Sequence, residues 1–397
     1  MAVTDDLNQD FIDVLDNAGV PITEEEVLKN FNDEVKAQGS YINNDSQFSP
    51  FWRLIEAMIV KPYFWLMSFL VTTVFPQSFV RTATGHYLDL WLWSVNLERK
   101  EAVKAQGIVV FERDDNSPEI VLPAGFTIST ERINGVVYKL LLSQDTTLPE
   151  GSTLDTVNCI AEKVGSSYNL GSGYYQIPQT PVPGLVRVYN PDDWLTVPGA
   201  DKESDPEARE RYRSQYTSVS GWFIDDKYKL VMAEFGGVKT EQIYIEHGAP
   251  RGPGSANAYI LLDSGVPSEP FLDAINKAVV EDGYRGLGDD MVAMALPEKL
   301  MNLSFEILPV ANLKEADKAI LMGDVEQYIR CVFRENQAYA QATLVWPQSL
   351  FSFSTLNQEL RNTFIGLESV YTESRDFKTG LEIPRIESLT LTETPRT

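Results

Sequence analysis

The 397-residue chain carries 57 acidic side chains against 33 basic ones, a formal charge of −24, and 43% of its residues are hydrophobic. This composition is globular rather than disordered, and the length suits several domains. The acidic balance excludes a nucleic-acid-binding role, because neutralising phosphates requires clustered Lys and Arg. Cys159 and Cys331 are the two cysteines, and they provide neither a disulfide framework nor a zinc-binding spacing.

Two short amphipathic helices are predicted before residue 40. The first has an apolar stripe that includes Phe11 and Val14, and the second begins at the capping box Thr23-Glu-Glu-Glu26. The first ten residues lack the basic and apolar regions of a secretion signal, so synthesis in the host cytoplasm is expected.

A third helix is predicted to begin at Ser49-Pro50, where a cap residue precedes a proline in the first turn. We expect Pro62 to interrupt it. The charge-free run Pro62–Phe75 is 14 residues long, shorter than the ~20 that a helix needs to cross a bilayer. Helices this apolar have no evident partner within the chain, so the sequence favours an intersubunit bundle over membrane insertion. The interface residues predicted for this bundle are Phe51, Leu54, Ile55, Met58, Ile59, Phe64, Trp65 and Phe69.

Residues 81–111 predict a helix that leads into the first strand of a β-rich domain. Leu88, Trp91, Leu92 and Val95 follow the helical i, i+3, i+4, i+7 spacing, and we expect this stripe to anchor the helix on the β-rich domain. Ala83 and Gly85 are small enough to allow close helix packing. Asp89 is expected to make a local hydrogen bond rather than act in catalysis. The predicted helix would form a joint between the N-terminal helical bundle and the β-rich body. The residues predicted to form this joint are Ala83, Gly85, Leu88, Asp89, Trp91 and Leu92.

Strand and turn signals at short intervals predict an all-β domain over residues 107–190, and two small α+β modules follow. A similar helix-to-strand turn at Phe235-Gly-Gly and Phe364-Ile-Gly is a weak sign of an internal repeat. The predicted fold class is α+β multidomain, with an N-terminal helical arm, a β-rich central domain and two small α+β modules at the C-terminus. The expected domains are 1–80, 81–200, 201–300 and 301–397.

The sequence offers no pattern for catalysis, for a cofactor or for a metal ion. It lacks a G-x-S-x-G elbow, a phosphate-binding loop and an H-E-x-x-H helix. His86 and Asp89 lie one helical turn apart, but a stable metal site needs more ligands. An alternative function is binding of a host glycan or receptor, for which Tyr168, Tyr174 and Tyr175 are the candidate aromatic platform.

The order of these segments resembles the baseplate J-like family, the wedge proteins of contractile phage tails and related injection systems. The resemblance is strongest from Ser49 to Arg213 and weaker beyond. Its pieces are Ser49-Pro50, Ala83-Thr84-Gly85, Ala105-Gln106-Gly107, Leu122-Pro123-Ala124-Gly125, Ala161-Glu-Lys-Val-Gly165, Pro183-Gly184 and Gly199-Ala-Asp201.

The resemblance implies a structural, non-enzymatic subunit in the tail baseplate of a virion. Members of the family form a six-fold ring near the central hub and spike, with paired copies in each wedge. An N-terminal helical bundle joins them to the second wedge protein, which is tail protein I-like. They also meet the small lysozyme-like protein that initiates the sheath. The resemblance further implies that domain movement transmits the trigger for contraction, and the small C-terminal modules suit modest, polar contacts that can rearrange.

Overall fold

The structure is a computed structural model that describes residues 2–39, 49–218, 225–281, 285–286 and 288–394. Within these ranges it does not describe the side chains of residues 2–8, 51–52, 55–56 and 216–218. The chain divides into two compact units. The helical unit comprises Met1–Arg99 and Ser204–Gln215, and the body unit comprises Lys100–Glu203 and Tyr216–Thr397.

The helical unit begins with two helices that match the sequence prediction. Helix α1 spans Ala2–Asn17 and α2 spans Glu24–Ala37. At the start of α2, the Glu26 amide donates to Thr23 Oγ1 and the Thr23 amide donates to Glu26 Oε2. These two bonds form the predicted capping box, which satisfies donors that the first helical turn leaves free.

A long apolar helix follows over residues 50–77. It consists of α3 (Pro50–Ile55), a π-turn at Glu56–Val60, α4 (Lys61–Phe69), a π-turn at Leu70–Val74 and α5 (Phe75–Gln77). The expectation that Pro62 interrupts the helix is therefore wrong. Each π-turn ends two residues before a proline, Pro62 or Pro76. Proline has no backbone N–H, and its ring crowds a carbonyl of the preceding helical turn. The wider π-turn makes room for the ring, so the helix continues.

The helical unit is completed by two further helices. Helix α6 spans Gly85–Ser94 and α7 spans Asp205–Ser218, of which residues 205–215 belong to this unit. Ala83, Leu88, Leu92, Ala208 and Tyr212 form its buried cluster. Helices that precede and follow the β-rich domain in the sequence thus form one small core.

The β-rich domain, residues 100–203 of the body unit, contains strands β1 to β9. Their bounds are β1 Gln106–Arg113, β2 Ile120–Leu122, β3 Thr127–Ser129, β4 Lys139–Leu142, β5 Thr146–Leu148, β6 Leu154–Ala161, β7 Ile177–Pro178, β8 Leu185–Tyr189 and β9 Leu195–Val197. The main sheet has the order β7-β3-β4-β6-β1-β8, and β9 also pairs with β1. Strand β1 alternates buried and less buried residues, as expected for a strand with one face in the core.

The remaining body unit contains two α+β modules, as predicted. The first has α8 Asp225–Met232, β10 Ile243–Glu246, β11 Ser255–Ile260, α9 Glu269–Glu281 and β12 Asp290–Ala295. The second has β13 Glu298–Pro309, α10 Glu315–Val332, β14 Leu350–Phe351, α11 Phe353–Thr363, β15 Leu367–Tyr371, β16 Phe377–Lys378 and β17 Ile383–Glu393. Their sheets have the orders β10-β11-β12 and β15-β13-β17.

The two modules are alike in pairing but differ in connectivity. In each sheet the central strand is antiparallel to one neighbour and parallel to the other. The parallel pair in the first module is β11 and β12, which are joined through α9, whereas β13 pairs in parallel with the final strand β17. One hydrophobic core runs through the β-rich domain and the first module, and the second module has its own.

Candidate assembly interface

One face of the apolar helix packs against the N-terminal helices of the same chain. The ring of Phe11, on α1, lies 5.3 Å from that of Phe75 and 6.0 Å from that of Phe79. The hydroxyl of Tyr63 donates to the carbonyl of Pro21 at 2.8 Å. The expectation that these helices have no partner within the chain is therefore wrong for this face.

The opposite face of the apolar helix is exposed. The exposed apolar face comprises Leu54, Met58, Ile59, Trp65, Leu66 and Phe69. Trp65 is 72% exposed and its ring stacks on that of Phe69, with centroids 6.1 Å apart. Soluble monomers seldom expose an apolar surface of this kind unless it serves as an interface, and tryptophan is enriched among residues that dominate binding energy.

The predicted interface residues fall in different places. Leu54, Met58, Ile59, Trp65 and Phe69 are exposed, whereas Phe64 is partly buried and its ring meets that of Tyr63 edge-on. The side chains of Phe51 and Ile55 lie outside those that the structure describes. Leu66 is exposed on the same face but is not among the predicted residues. It follows Ile59 at i+7, and continuing the helical spacing through Pro62 would have found it.

The apolar helix also changes the argument about membranes. The segment Ala57–Gln77 is a helix of 21 residues that is long and apolar enough to cross a bilayer, and 11% of an apolar 18-residue stretch within it is buried. The prediction that this helix is too short to cross a bilayer is therefore wrong, because the helix continues through Pro62 and beyond the charge-free run. By length and composition alone, such a helix fits either a bilayer or a protein partner.

The stripe on α6 is buried, but its observed partner differs from the one expected. Leu88 and Leu92 are fully buried in the cluster with Ala208 and Tyr212 of α7, and Trp91 packs edge-on against the Tyr212 ring at 6.2 Å. The prediction that this stripe anchors on the β-rich domain is thereby corrected. A helix that returns more than 100 residues later in the sequence supplies the packing surface.

Polar contacts reinforce the packing of α6 on α7. Arg99 pairs with Asp89 through Nε at 2.7 Å and with Asp205 through Nη2 at 2.8 Å. Arg209 donates to the carbonyls of Val80 and Ala83, both at 2.9 Å. Paired, partly buried charges of this kind favour one geometry of the joint because each donor has a fixed acceptor. Asp89 thus makes a local ion pair.

Gly85 has a different role from the one predicted. A side chain at this position would meet no atom within 4 Å, so close helix packing does not require glycine here. Its φ of +52° lies in the left-handed region, which glycine adopts without steric cost. This conformation begins α6 and directs the Gly85 amide to Asp205 Oδ2 at 3.0 Å.

Asp205 makes the joint sensitive to acid. Partial burial acts to raise the pKa of Asp205, but the hydrogen bond from Gly85 and the charge of Arg99 outweigh burial and hold the pKa below the ordinary aspartate value. Because the pKa of Asp205 is lower in the folded state than in the unfolded state, its ionised carboxylate stabilises the folded protein. This stabilisation is fully present at pH values above the unfolded-state pKa of about 3.9, and it is lost as the pH falls through the folded-state pKa.

We therefore expect Asp205→Asn to lower the stability of the helical unit by on the order of 1 kcal/mol at pH 7, through loss of a charged hydrogen bond. The difference from wild type should shrink at pH 3. Thermal unfolding followed by circular dichroism at both pH values measures this difference. A stability difference between the two proteins that is the same at both pH values, or absent at both, would contradict the role of Asp205.

The aromatic platform expected for glycan binding does not form. Tyr168 and Tyr175 are buried, and Tyr174 is partly buried in the core of the β-rich domain. Burial raises the pKa of Tyr175 well above its ordinary value. The Tyr175 hydroxyl donates to the carbonyl of Tyr168 at 2.8 Å. These rings stabilise the fold and do not present a surface to a sugar.

Comparison with known proteins decides the family. Residues 108–197 match the model of the Baseplate J-like protein barrel domain. The chain is also 39% identical to a protein of Haemophilus phage HP1 (strain HP1c1) that bears the name baseplate protein gp29, over 374 residues that make up 94% of this chain and 95% of that protein. The chain belongs to the baseplate J-like family.

As a baseplate J-like protein, it is a structural component of the tail baseplate of a virion and sits among other baseplate proteins. The chain is also similar to one in the six-fold symmetrised cryo-electron microscopy structure of the anti-feeding prophage baseplate. That match covers 86% of this chain and 87% of the other, at 10% identity and a TM-score of 0.32.

Proposed function

We propose that this baseplate J-like protein is a wedge subunit that uses its exposed apolar face to join other baseplate chains. Paired copies in each wedge would form a six-fold ring around the central hub, and the tail protein I-like second wedge protein would complete the helical bundle. The small lysozyme-like protein that initiates the sheath would contact the same ring. The observation that carries this proposal is the row of exposed apolar side chains around Trp65.

Burial energetics support a protein interface at this face. Burying a Leu, Ile, Phe or Met side chain contributes about 1.5–3 kcal/mol, so the five such residues of this face, together with Trp65, make on the order of 10 kcal/mol available before the costs of association. The stacked pair Trp65 and Phe69 forms the C-terminal part of this row, and tryptophan is enriched among the residues that dominate binding energy. A helix in a multichain bundle would bury this face completely.

The acidic helix α1 favours a protein partner over a bilayer. Its sequence AVTDDLNQDFIDVLDN carries five aspartates and no basic residue, and its Phe11 packs on Phe75 of the apolar helix. If the apolar helix crossed a membrane, α1 would have to detach or enter the bilayer. Each Asp at the centre of a membrane helix costs roughly 2.5–3.5 kcal/mol.

The joint between α6 and α7 would hold the interface helices in a defined position while the trigger for sheath contraction passes through the ring. Its buried apolar cluster and its two arginines, Arg99 and Arg209, provide a rigid connection within the helical unit. We propose no catalytic step for this protein, because its role in assembly and signal transmission requires only binding and movement.

Co-expression with the second wedge protein tests the proposal. The full-length chain is expected to co-purify with that protein, whereas a chain that lacks residues 1–76 is expected to remain soluble and to lose the partner. The truncated chain retains α6 and α7, whose cluster is largely formed by residues 80–97 and 208–212. Equal recovery of the partner with both chains would contradict the proposed interface.

A further inference from the structure

A short segment after α10 lies where three parts of the body unit meet. The key segment, residues 334–338, begins at Arg334, whose φ of +63° turns the chain sharply at the end of α10. Arg334 and Asn336 are buried. A non-glycine residue in this conformation costs roughly 1 kcal/mol or more, and such residues persist where the surrounding contacts fix the backbone.

The key segment is bonded to the β-rich domain along its length. The Gly171 amide donates to the carbonyl of Glu335 at 2.8 Å, and the Asn134 side chain donates to the carbonyl of Ala338 at 2.7 Å. The Ser166 hydroxyl is shared between the Asp201 carboxylate and Gln337 Oε1, which lies 2.9 Å from it. Both backbone and side-chain groups of a second-module segment therefore bind the β-rich domain.

The same segment is bonded to the first α+β module through the loop 263–265. The Gly265 amide donates to the carbonyl of Arg334, and Gln337 Nε2 donates to the hydroxyl of Ser264, both at 3.1 Å. Ser264 in turn donates to the carbonyl of Asn169 in the β-rich domain. The amide group of Gln337 thus bridges Ser166 of the β-rich domain and Ser264 of the first module.

A buried arginine of the second module also binds at this junction of the key segment with the β-rich domain and the first module. Arg385, on β17, is 8% exposed; its Nη1 donates to the carbonyl of Arg334 at 3.0 Å, and its Nη2 donates to that of Gly265 at 2.7 Å. Opening any one of these contacts would leave buried polar groups unpaired, which costs about 1–3 kcal/mol for each group. The junction therefore opposes separation of its three parts.

We infer that the key segment holds the β-rich domain and both α+β modules together as one rigid body, which moves as a whole during baseplate function. This inference rests on contacts within the body unit and does not depend on the proposed wedge function. It revises the sequence-based expectation that the C-terminal modules make contacts that rearrange. Modest polar contacts between domains normally permit motion, but the contacts of Arg385 and Ser264 are buried, those of Gln337 are partly buried, and several share a donor or an acceptor.

Hydrogen exchange on the isolated full-length chain tests the inference. Gln337→Ala removes both side-chain bridges at once, and Gln341→Ala, an exposed glutamine four residues later, is the matched control. We expect Gln337→Ala to raise exchange on the order of 10-fold, as loss of about 1–2 kcal/mol implies. The rise should appear together around residues 166–171, 263–265 and 334–338, and Gln341→Ala should leave all three unchanged.

A rise confined to the second module, or no difference between Gln337→Ala and Gln341→Ala, would overturn the inference. If Gln337→Ala does not fold, Ser166→Ala and Ser264→Ala make a related test, although they also remove the bond of Ser166 to Asp201 and that of Ser264 to the carbonyl of Asn169. Each removes one bridge to Gln337, so each should raise exchange in all three segments. Their combination should differ from the sum of the single effects, because the two serines bind one side chain. Additive effects, each confined to its own segment, would equally overturn it.

Discussion

A chain in which Trp65 and Phe69 are both replaced by serine is expected to fold normally and to be left out of the assembled baseplate. Both side chains are exposed, Trp65 at 72% and Phe69 at 41%, so their loss should change the stability of the free chain by only about 0.5 kcal/mol. If they dominate the interface, each contributes about 2 kcal/mol or more to binding. The affinity should then fall by on the order of 1,000-fold.

Incorporation into purified tails, measured by quantitative mass spectrometry, provides the readout. The matched control is a chain with Leu154→Ser and Val186→Ser, which removes two exposed apolar side chains from the β-rich domain. The control should enter tails at the wild-type level. Normal incorporation of the Trp65 and Phe69 variant would show that this face is not the one that carries assembly.

Gly107→Ala is expected to destabilise the β-rich domain strongly. A Cβ at position 107 would lie 2.2 Å from the carbonyl oxygen of Trp194 and 2.4 Å from its indole ring. Trp194 cannot move easily, because its ring packs on that of Tyr175 at 5.3 Å and its Nε1 donates to the carbonyl of Leu170 at 2.8 Å. Overpacking a fixed core typically costs about 1–3 kcal/mol, and an overlap this deep with backbone and ring atoms should cost the upper value.

Thermal unfolding measures this cost, which corresponds to a fall in Tm of roughly 6–12 °C for a unit of this size. Gly323→Ala is the matched control, because a Cβ there meets open space within helix α10. Replacing a helical glycine with alanine should stabilise the protein by about 0.5–1 kcal/mol. A Gly107→Ala protein as stable as wild type would contradict the close approach of β1 to Trp194.

Local signals in the sequence predicted local structure well. The Thr23–Glu26 capping box, the burial of Leu88 and Leu92, and the α+β character of the C-terminal modules all follow from spacing and residue type. Each depends on neighbours within a few turns or strands, where periodicity and capping decide the outcome.

Features that depend on distant parts of the chain escaped the sequence analysis. The partner of the α6 stripe is α7, which follows an entire β-rich domain, and the bridge from Gln337 joins residues 166 and 264. Nothing in the spacing around these residues identifies such partners. The predicted interruption at Pro62 is wrong for another reason. A proline by itself predicts a break in a helix, but a π-turn before Pro62 keeps this helix continuous.

The most direct test of the central claim is to identify what covers Trp65 in the assembled tail. A photo-crosslinking amino acid at position 65, activated in intact particles, should join this chain to the second wedge protein or to a second copy of itself. Crosslinks only to lipid, or a residue 65 that remains accessible to a water-soluble label in the assembled particle, would contradict the account.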